Sequence, residues 1–111
     1  MEREELEKMT RDYQNVQMQM QSLSMQKLQF TQQKEEYKDA EKELTNAKGK
    51  VYIDIGGLMI ETTKDDALIK LKERLESIDM RFKIVTRQHE EASKKEQTLR
   101  ITLTEELKKS Q

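Results

Sequence analysis

Cysteine, proline and tryptophan are absent from this 111-residue chain, and glycine occurs only three times. The lack of cysteine excludes a disulfide framework and thiolate metal sites, and it fits a reducing cytosol. The N-terminal sequence MEREELEKM is charged from its second residue, and no apolar run is long enough to span a bilayer. We therefore expect a soluble, cytoplasmic protein that does not interact with membranes.

The composition is unusual for a globular domain, since 39% of the residues are charged and only 33% are hydrophobic. A chain so poor in apolar residues is either disordered or an elongated helical assembly that buries one narrow stripe. Its 21 basic and 22 acidic side chains are interspersed and give a net charge of −1. Because nucleic-acid binding needs a concentrated basic face, we expect no nucleic-acid partner.

The three glycines all lie in the middle of the chain and divide it into two similar flanks. We predict one domain over residues 1–111, with helices over 1–48 and 64–111 and a β-hairpin over 51–62. Gly49 is expected to close the first helix in a left-handed conformation. Thr63-Lys64-Asp65-Asp66 resembles the capping box that begins a helix.

The first flank carries a heptad repeat that predicts a coiled-coil seam, meaning the stripe of a and d residues between packed helices. All six d positions are apolar: Met9, Val16, Leu23, Phe30, Tyr37 and Leu44. The a positions begin with Leu6, Tyr13 and Met20 and then turn polar at Lys27, Lys34 and Glu41. We therefore expect the seam to drift towards Ala40 and Ala47.

The second flank has the same spacing. Its a positions are Leu68, Leu75, Phe82, His89, Glu96 and Leu103, and its d positions are Leu71, Ile78, Val85, Ala92, Leu99 and Glu106. Two matching stripes joined by a short connector predict an antiparallel coiled coil. The polar seam residues should weaken the coil locally.

The connector between the helices reads as a β-hairpin turning at Gly56-Gly57, because glycine tolerates the positive φ of a primed turn. One face should then present the apolar residues Val51, Ile53, Ile55, Leu58 and Ile60. The opposite face should present Tyr52, Asp54, Met59 and Glu61. A lone hairpin is marginal in water and has two unpaired edges, so we expect these apolar residues and the turn glycines to drive subunit assembly. The alternative is a hairpin that only caps the helices.

The chain resembles the β-type subunits of prefoldin, which have a hairpin between two long helices. The resemblance is carried by Val51-Tyr52, Ile55-Gly56 and Leu58-Met59-Ile60, followed by Thr62-Thr63-Lys64-Asp65 and Leu68. A single hairpin is typical of the β class, whereas α-class subunits carry two.

The resemblance implies a mainly α fold whose hairpin contributes to an intersubunit β-barrel. It also implies a hetero-hexamer of α-class subunits and further β-class copies. Such a particle would be an ATP-independent chaperone that holds unfolded client proteins at its coiled-coil tips and delivers them to a cytosolic group II chaperonin.

Apolar residues near the chain ends are candidates for client binding, because helix ends fray and methionine adapts to many partners. The candidates are Leu6, Met9, Tyr13, Val16, Met18, Leu99, Ile101, Leu103 and Leu107. Met18, Met25 and Ile101 fall on the outward f face of the heptad, and Leu107 falls at e. The alternatives are packing against a neighbouring coil or scattered exposure without a function.

Catalytic and metal-binding chemistry lacks support in this sequence. His89 is the sole histidine and has no cysteine or second histidine to complete a metal site. No nucleophile elbow or phosphate-binding glycine loop occurs, so we expect no enzyme, no cofactor and no metal. A different class of function is a structural coiled-coil adaptor or oligomerisation module that binds one specific protein.

Overall fold

The structure is a computed structural model that describes residues 1–109. Its elements are helix α1 (Arg3–Asn46), strands β1 (Val51–Ile55) and β2 (Leu58–Thr62), and helix α2 (Lys64–Lys109). The predicted fold class is confirmed, since two long helices are joined by one central antiparallel hairpin. The predicted end of the second helix at Gln111 lies outside the described residues.

The chain divides into two compact units, and each contains a segment of both helices. The terminal unit comprises Met1–Lys27 and Ile84–Gln111, and the hairpin unit comprises Leu28–Lys83. The terminal unit buries Val16, Leu23, Val85 and Ala92, whereas the hairpin unit buries Leu44, Ala67 and Ile78. With so few buried side chains, each unit holds a narrow stripe of core.

The heptad prediction is confirmed, because every predicted a and d residue of both helices is buried or half-buried. The predicted drift of the seam is wrong at Ala40, which is exposed, whereas Ala47 is half-buried. The polar residues Lys27, Lys34 and Glu41 keep half-buried seam positions. A lysine can occupy such a position because its aliphatic stem packs along the seam while its ammonium group reaches a polar partner.

The end of α1 differs from the prediction. The helix stops at Asn46, and Gly49 does not close it, because the positive-φ residues of the described chain are Gly56 and Gly57. Instead, Lys64 Nζ donates hydrogen bonds to the carbonyl oxygens of Thr45 (2.7 Å) and Ala47 (3.4 Å). An ammonium group at a helix C-terminus satisfies free carbonyls and neutralises the negative end of the dipole.

The start of α2 follows the prediction. The N–H of Asp66 donates to Thr63 Oγ1 at 3.1 Å, as expected for a threonine N-cap. Ala67, in the first turn, is only 7% exposed although the heptad gives it no seam position. Its small side chain allows close packing at this point.

The hairpin register is the predicted one, with Val51 opposite Thr62, Ile53 opposite Ile60 and Ile55 opposite Leu58. Gly56 and Gly57 have φ values of 58° and 87°, and a type I′ turn requires a positive φ at both central positions. Asp54 Oδ1 accepts the Gly57 N–H at 3.0 Å and stabilises the turn further.

Candidate functional site

The predicted assembly residues of the hairpin differ in exposure. Val51 and Ile53 are half-buried within the chain, whereas Ile55, Leu58 and Ile60 are 44%, 68% and 45% exposed. Three large aliphatic side chains next to the turn therefore remain in solvent in the single chain. A surface of this kind is typical of a protein–protein contact.

The opposite face of the hairpin presents the four residues that the sequence predicted, and two of them are large and exposed. Tyr52 is 50% exposed and Met59 is 68% exposed, and both share this face with Asp54 and Glu61. The two side chains are diagonal neighbours on adjacent strands, close enough to form a continuous patch. Both faces of the hairpin thus offer apolar surface to a partner.

A groove of about 560 Å³ opens beside the hairpin, between β1 and the adjoining segments of the two helices. Its floor is apolar and its exposed rim carries charged side chains from both helices. Periodicity gave no indication of this groove, because it depends on how the hairpin lies against the helices.

All nine predicted client-binding residues belong to the terminal unit. Met18, Ile101 and Leu107 are 63%, 56% and 58% exposed. The seam residues are half-buried, namely Leu6, Met9, Tyr13, Leu99 and Leu103. Val16 is only 2% exposed, so a client could reach it only if the coil opened.

Tyr13 connects the two helices of the terminal unit. Its Oη donates to Glu96 Oε1 at 3.1 Å. Desolvation, together with this hydrogen bond and the negative charge of Glu96, raises the pKa of Tyr13 above its ordinary value, against a smaller opposing effect of Arg100. The phenol therefore has a structural role in the seam of the terminal unit.

Comparison with known proteins identifies the family. Residues 7–110 match the profile of the family described as prefoldin subunit. The chain belongs to this family. The crystal structure of the prefoldin beta subunit from Thermococcus strain KS-1 aligns with a TM-score of 0.83 at 28% identity, over 93% of this chain and 92% of that one.

Curated relatives give a more local similarity. The prefoldin subunit beta of Methanococcoides burtonii is 49% identical over 45 residues, and that of Thermococcus kodakarensis is 38% identical over 45 residues. Each match covers 40% of this chain and 38% of the relative, well under half of either protein. The names of these prefoldin relatives and the structural match together confirm the predicted resemblance to the β class.

Several exposed apolar residues of this prefoldin chain were missed by the sequence analysis. Leu28, Ile69, Met80 and Ile84 are 58%, 56%, 66% and 52% exposed. Met80 falls at position f, the criterion that singled out Met18 and Met25, so the heptad could have identified it. The other three lie at b and c positions and share no single stripe.

Groups suited to other chemistry are few. His89 Nε2 lies 3.1 Å from Ser24 Oγ, so the histidine serves as a polar seam residue of the prefoldin coil. Within residues 1–109, no cluster of three or more histidine, cysteine, aspartate or glutamate side chains is placed to hold a metal ion. Neither helix, as far as described, combines the length and apolarity needed to cross a membrane.

Proposed function

We propose that the chain is a β-type subunit of a cytoplasmic prefoldin particle, an ATP-independent holdase that captures non-native polypeptides and passes them to a group II chaperonin. Family membership and the similarity to a prefoldin beta subunit over nearly the whole chain support this proposal. The main observation in favour of this proposal is that the large apolar side chains of Met18, Ile101 and Leu107 are exposed in the terminal unit. Such a role requires no catalytic group, and we propose no enzymatic activity.

Assembly in this proposal uses the hairpin. Its exposed Ile55, Leu58 and Ile60 would join the hairpins of α-class subunits and of further β-class copies in a β-barrel. In the part of the chain that the structure describes, residues 1–109, the sheet has two strands, and neither of its outer edges has a strand partner there. Open strand edges next to apolar side chains favour pairing with other chains.

Client capture can be tested with two matched triple variants in the assembled particle. The first replaces Met18, Ile101 and Leu107 of the terminal unit with glutamine. The control replaces Leu28, Ile69 and Met80, equally exposed residues of the hairpin unit, with glutamine. The measured quantity is the amount of particle that is needed to suppress the aggregation of each of two unrelated denatured proteins.

We expect the terminal-unit variant to require at least about tenfold more particle, because three apolar side chains no longer bind the client. The control should stay near the wild-type value. Equal activity of all three proteins would refute capture by these residues. The coiled-coil adaptor role would replace the proposal if the particle protects neither denatured protein yet binds one native partner.

A further inference from the structure

The longest uncharged segment of the chain lies in α1 of the terminal unit. Residues 13–26 contain no lysine, arginine, aspartate or glutamate, although 39% of the whole chain is charged. The α2 segment of equal length at 87–100 belongs to the same unit and carries seven charged side chains. The Tyr13–Glu96 hydrogen bond joins these two segments. Along this length, the terminal unit is uncharged on α1 and densely charged on α2.

The exposed side chains of residues 13–26 include only two apolar ones. Ten residues of the segment are exposed, and eight of them are glutamine, asparagine or serine. The other two are Met18 and Met25, which are 63% and 60% exposed. They lie two helical turns apart at f positions, on the outward side of α1. These two thioethers therefore supply the exposed large apolar surface of the whole segment.

A neutral face of amides and thioethers suits an unfolded polypeptide of either charge sign. Glutamine side chains can donate to the carbonyl groups and accept from the N–H groups of an exposed backbone. Methionine adapts its shape to many apolar partners. Charged side chains would instead attract or repel a client according to the charges that the client carries. Apolar contact between this face and a client therefore depends on Met18 and Met25.

The other methionines differ from this pair in position. Met9 and Met20 are half-buried in the seam, whereas Met59 and Met80 belong to the hairpin unit. Met1 is exposed but is followed directly by four charged residues. Because the chain contains no cysteine, methionine carries all of the sulfur that an oxidant can modify.

We propose that Met18 and Met25 form a reversible oxidation site that controls client capture by the terminal unit. An electron pair of the thioether sulfur attacks the terminal oxygen of a hydroperoxide. An S–O bond forms and the O–O bond breaks, and the hydrogen of the hydroperoxide leaves with the other oxygen as water or an alcohol. The sulfur loses two electrons and the peroxide gains them. The sulfoxide product is polar, so the face loses its exposed apolar side chains.

Reduction returns the face to its original state. A methionine sulfoxide reductase regenerates the thioether while a dithiol is oxidised to a disulfide, and the sulfoxide oxygen leaves as water. The inference rests on the proposed holdase function and adds a means of regulating it. Seam packing is preserved throughout the cycle, because Val16 and Leu23 hold the opposite side of the segment in the core.

Peroxide treatment of the assembled particle followed by peptide mass spectrometry identifies the methionines that react. Met18 and Met25 should each gain one oxygen at least about threefold faster than the half-buried Met9 and Met20, because reactivity follows exposure. The far-UV circular dichroism of the particle should stay unchanged. Equal rates at Met18 and Met20 would mean that the outward face is no more reactive than the seam, and would overturn the assigned site.

Client holding is measured before and after treatment, as the amount of particle needed to suppress aggregation of a denatured protein. In wild type, treatment should raise this amount by at least about fivefold, because two apolar contacts become polar. Methionine sulfoxide reductases with a dithiol should reverse the rise. For Met18→Leu/Met25→Leu, the ratio of the amounts after and before treatment should stay near one, whatever the starting amount, because leucine has no oxidisable sulfur.

The matched control is Met59→Leu/Met80→Leu, which removes two exposed methionines of the hairpin unit and keeps the proposed pair. Its ratio should rise as in wild type. A client bound before treatment should also protect the pair. With peroxide in large excess over all methionines, oxidation of Met18 and Met25 should slow by at least about threefold, while the rate at Met80 should stay within about twofold.

Failure of this inference is distinguishable from failure of the proposed function. Full suppression by a particle oxidised at both Met18 and Met25 refutes the inference alone. An equal loss of suppression in wild type and in Met18→Leu/Met25→Leu assigns the damage to other residues, and it likewise refutes the inference alone. An untreated wild-type particle that suppresses no aggregation refutes the proposed function, and the inference with it.

Discussion

Lys34 Nζ lies 2.7 Å from Asp79 Oδ1 and joins α1 to α2 in the hairpin unit. The hydrogen bond from Lys34 is the main reason that the pKa of Asp79 lies below its usual 3.8. The positive charges of Lys34, Lys83 and Lys38 lower this pKa further, whereas desolvation raises it. Lys34 occupies an a position, where a polar residue costs stability but specifies register. The pair fits one alignment of the two helices and disfavours slipped ones.

This ion pair predicts a loss of stability in acid. A carboxyl group whose pKa is depressed by folding stabilises the protein above its unfolded pKa, here 3.8, and that contribution disappears as the pH falls through the lower folded value. Asp79→Asn should lower the Tm by a few degrees at pH 7 and lose this difference in strong acid. Glu76→Gln, an exposed carboxylate change on the same helix, is the control and should leave the Tm unchanged.

A constant Tm difference between wild type and Asp79→Asn at all pH values would contradict this assignment. The same pair of proteins also tests register. If the Lys34–Asp79 pair selects one alignment of the helices, the distribution of distances between spin labels on α1 and α2 of the hairpin unit should be broader in Asp79→Asn than in wild type.

The raised pKa of Tyr13 predicts a loss of stability in alkaline solution. Its pKa is raised in the folded chain, so its contribution is fully present below the unfolded value of 10.0 and is lost as the pH rises through the folded value. The tyrosinate absorbance of wild type minus that of Tyr13→Phe should therefore show ionisation above pH 10.0. Glu96→Gln should move this ionisation downwards, because it removes the carboxylate charge. Ionisation at or below 10.0 in wild type would contradict the Tyr13–Glu96 contact.

The sequence was sufficient for features that depend on local periodicity. The heptad spacing from Leu6 to Leu44 identified the seam side of α1, and Gly56-Gly57 fixed the hairpin register. Both follow from side-chain direction and allowed φ values, which neighbouring residues determine. The assignment to the β class rested on this hairpin segment.

Features that depend on contacts distant in sequence were not predicted. Gly49 appeared suited to closing α1, yet Lys64, on the other helix, caps its carbonyl groups. Ala67 is buried although it occupies no a or d position of the heptad. The groove could not be predicted for the same reason, since its lining joins β1 to segments of both helices.

The hairpin turn provides a test of backbone conformation. Gly57 has a φ of 87°, with open space where a Cβ would lie, so Gly57→Ala should destabilise the hairpin by about 1 kcal/mol through backbone strain alone. Gly49→Ala is the matched control, because Gly49 also faces open space but has no positive φ. Gly49→Ala should be neutral or slightly stabilising, because alanine restricts the unfolded chain. Amide hydrogen exchange of β1 and β2 measures both effects, and equal exchange in the two variants would contradict the observed turn.

Leu23 and Met25 are two residues apart on α1 and provide a test of which surfaces remain exposed. Leu23 is 6% exposed, so Leu23→Ala should cost about 2 to 3 kcal/mol of unfolding free energy, at the low end for a core leucine because the core is narrow. Met25 is 60% exposed, and Met25→Ala should change stability by less than about 0.5 kcal/mol. Urea unfolding at one fixed protein concentration measures both, because association shifts the midpoint. A loss at Met25 as large as that at Leu23 would show that a neighbouring chain covers this face in the assembly, which would remove Met25 from the surface open to clients.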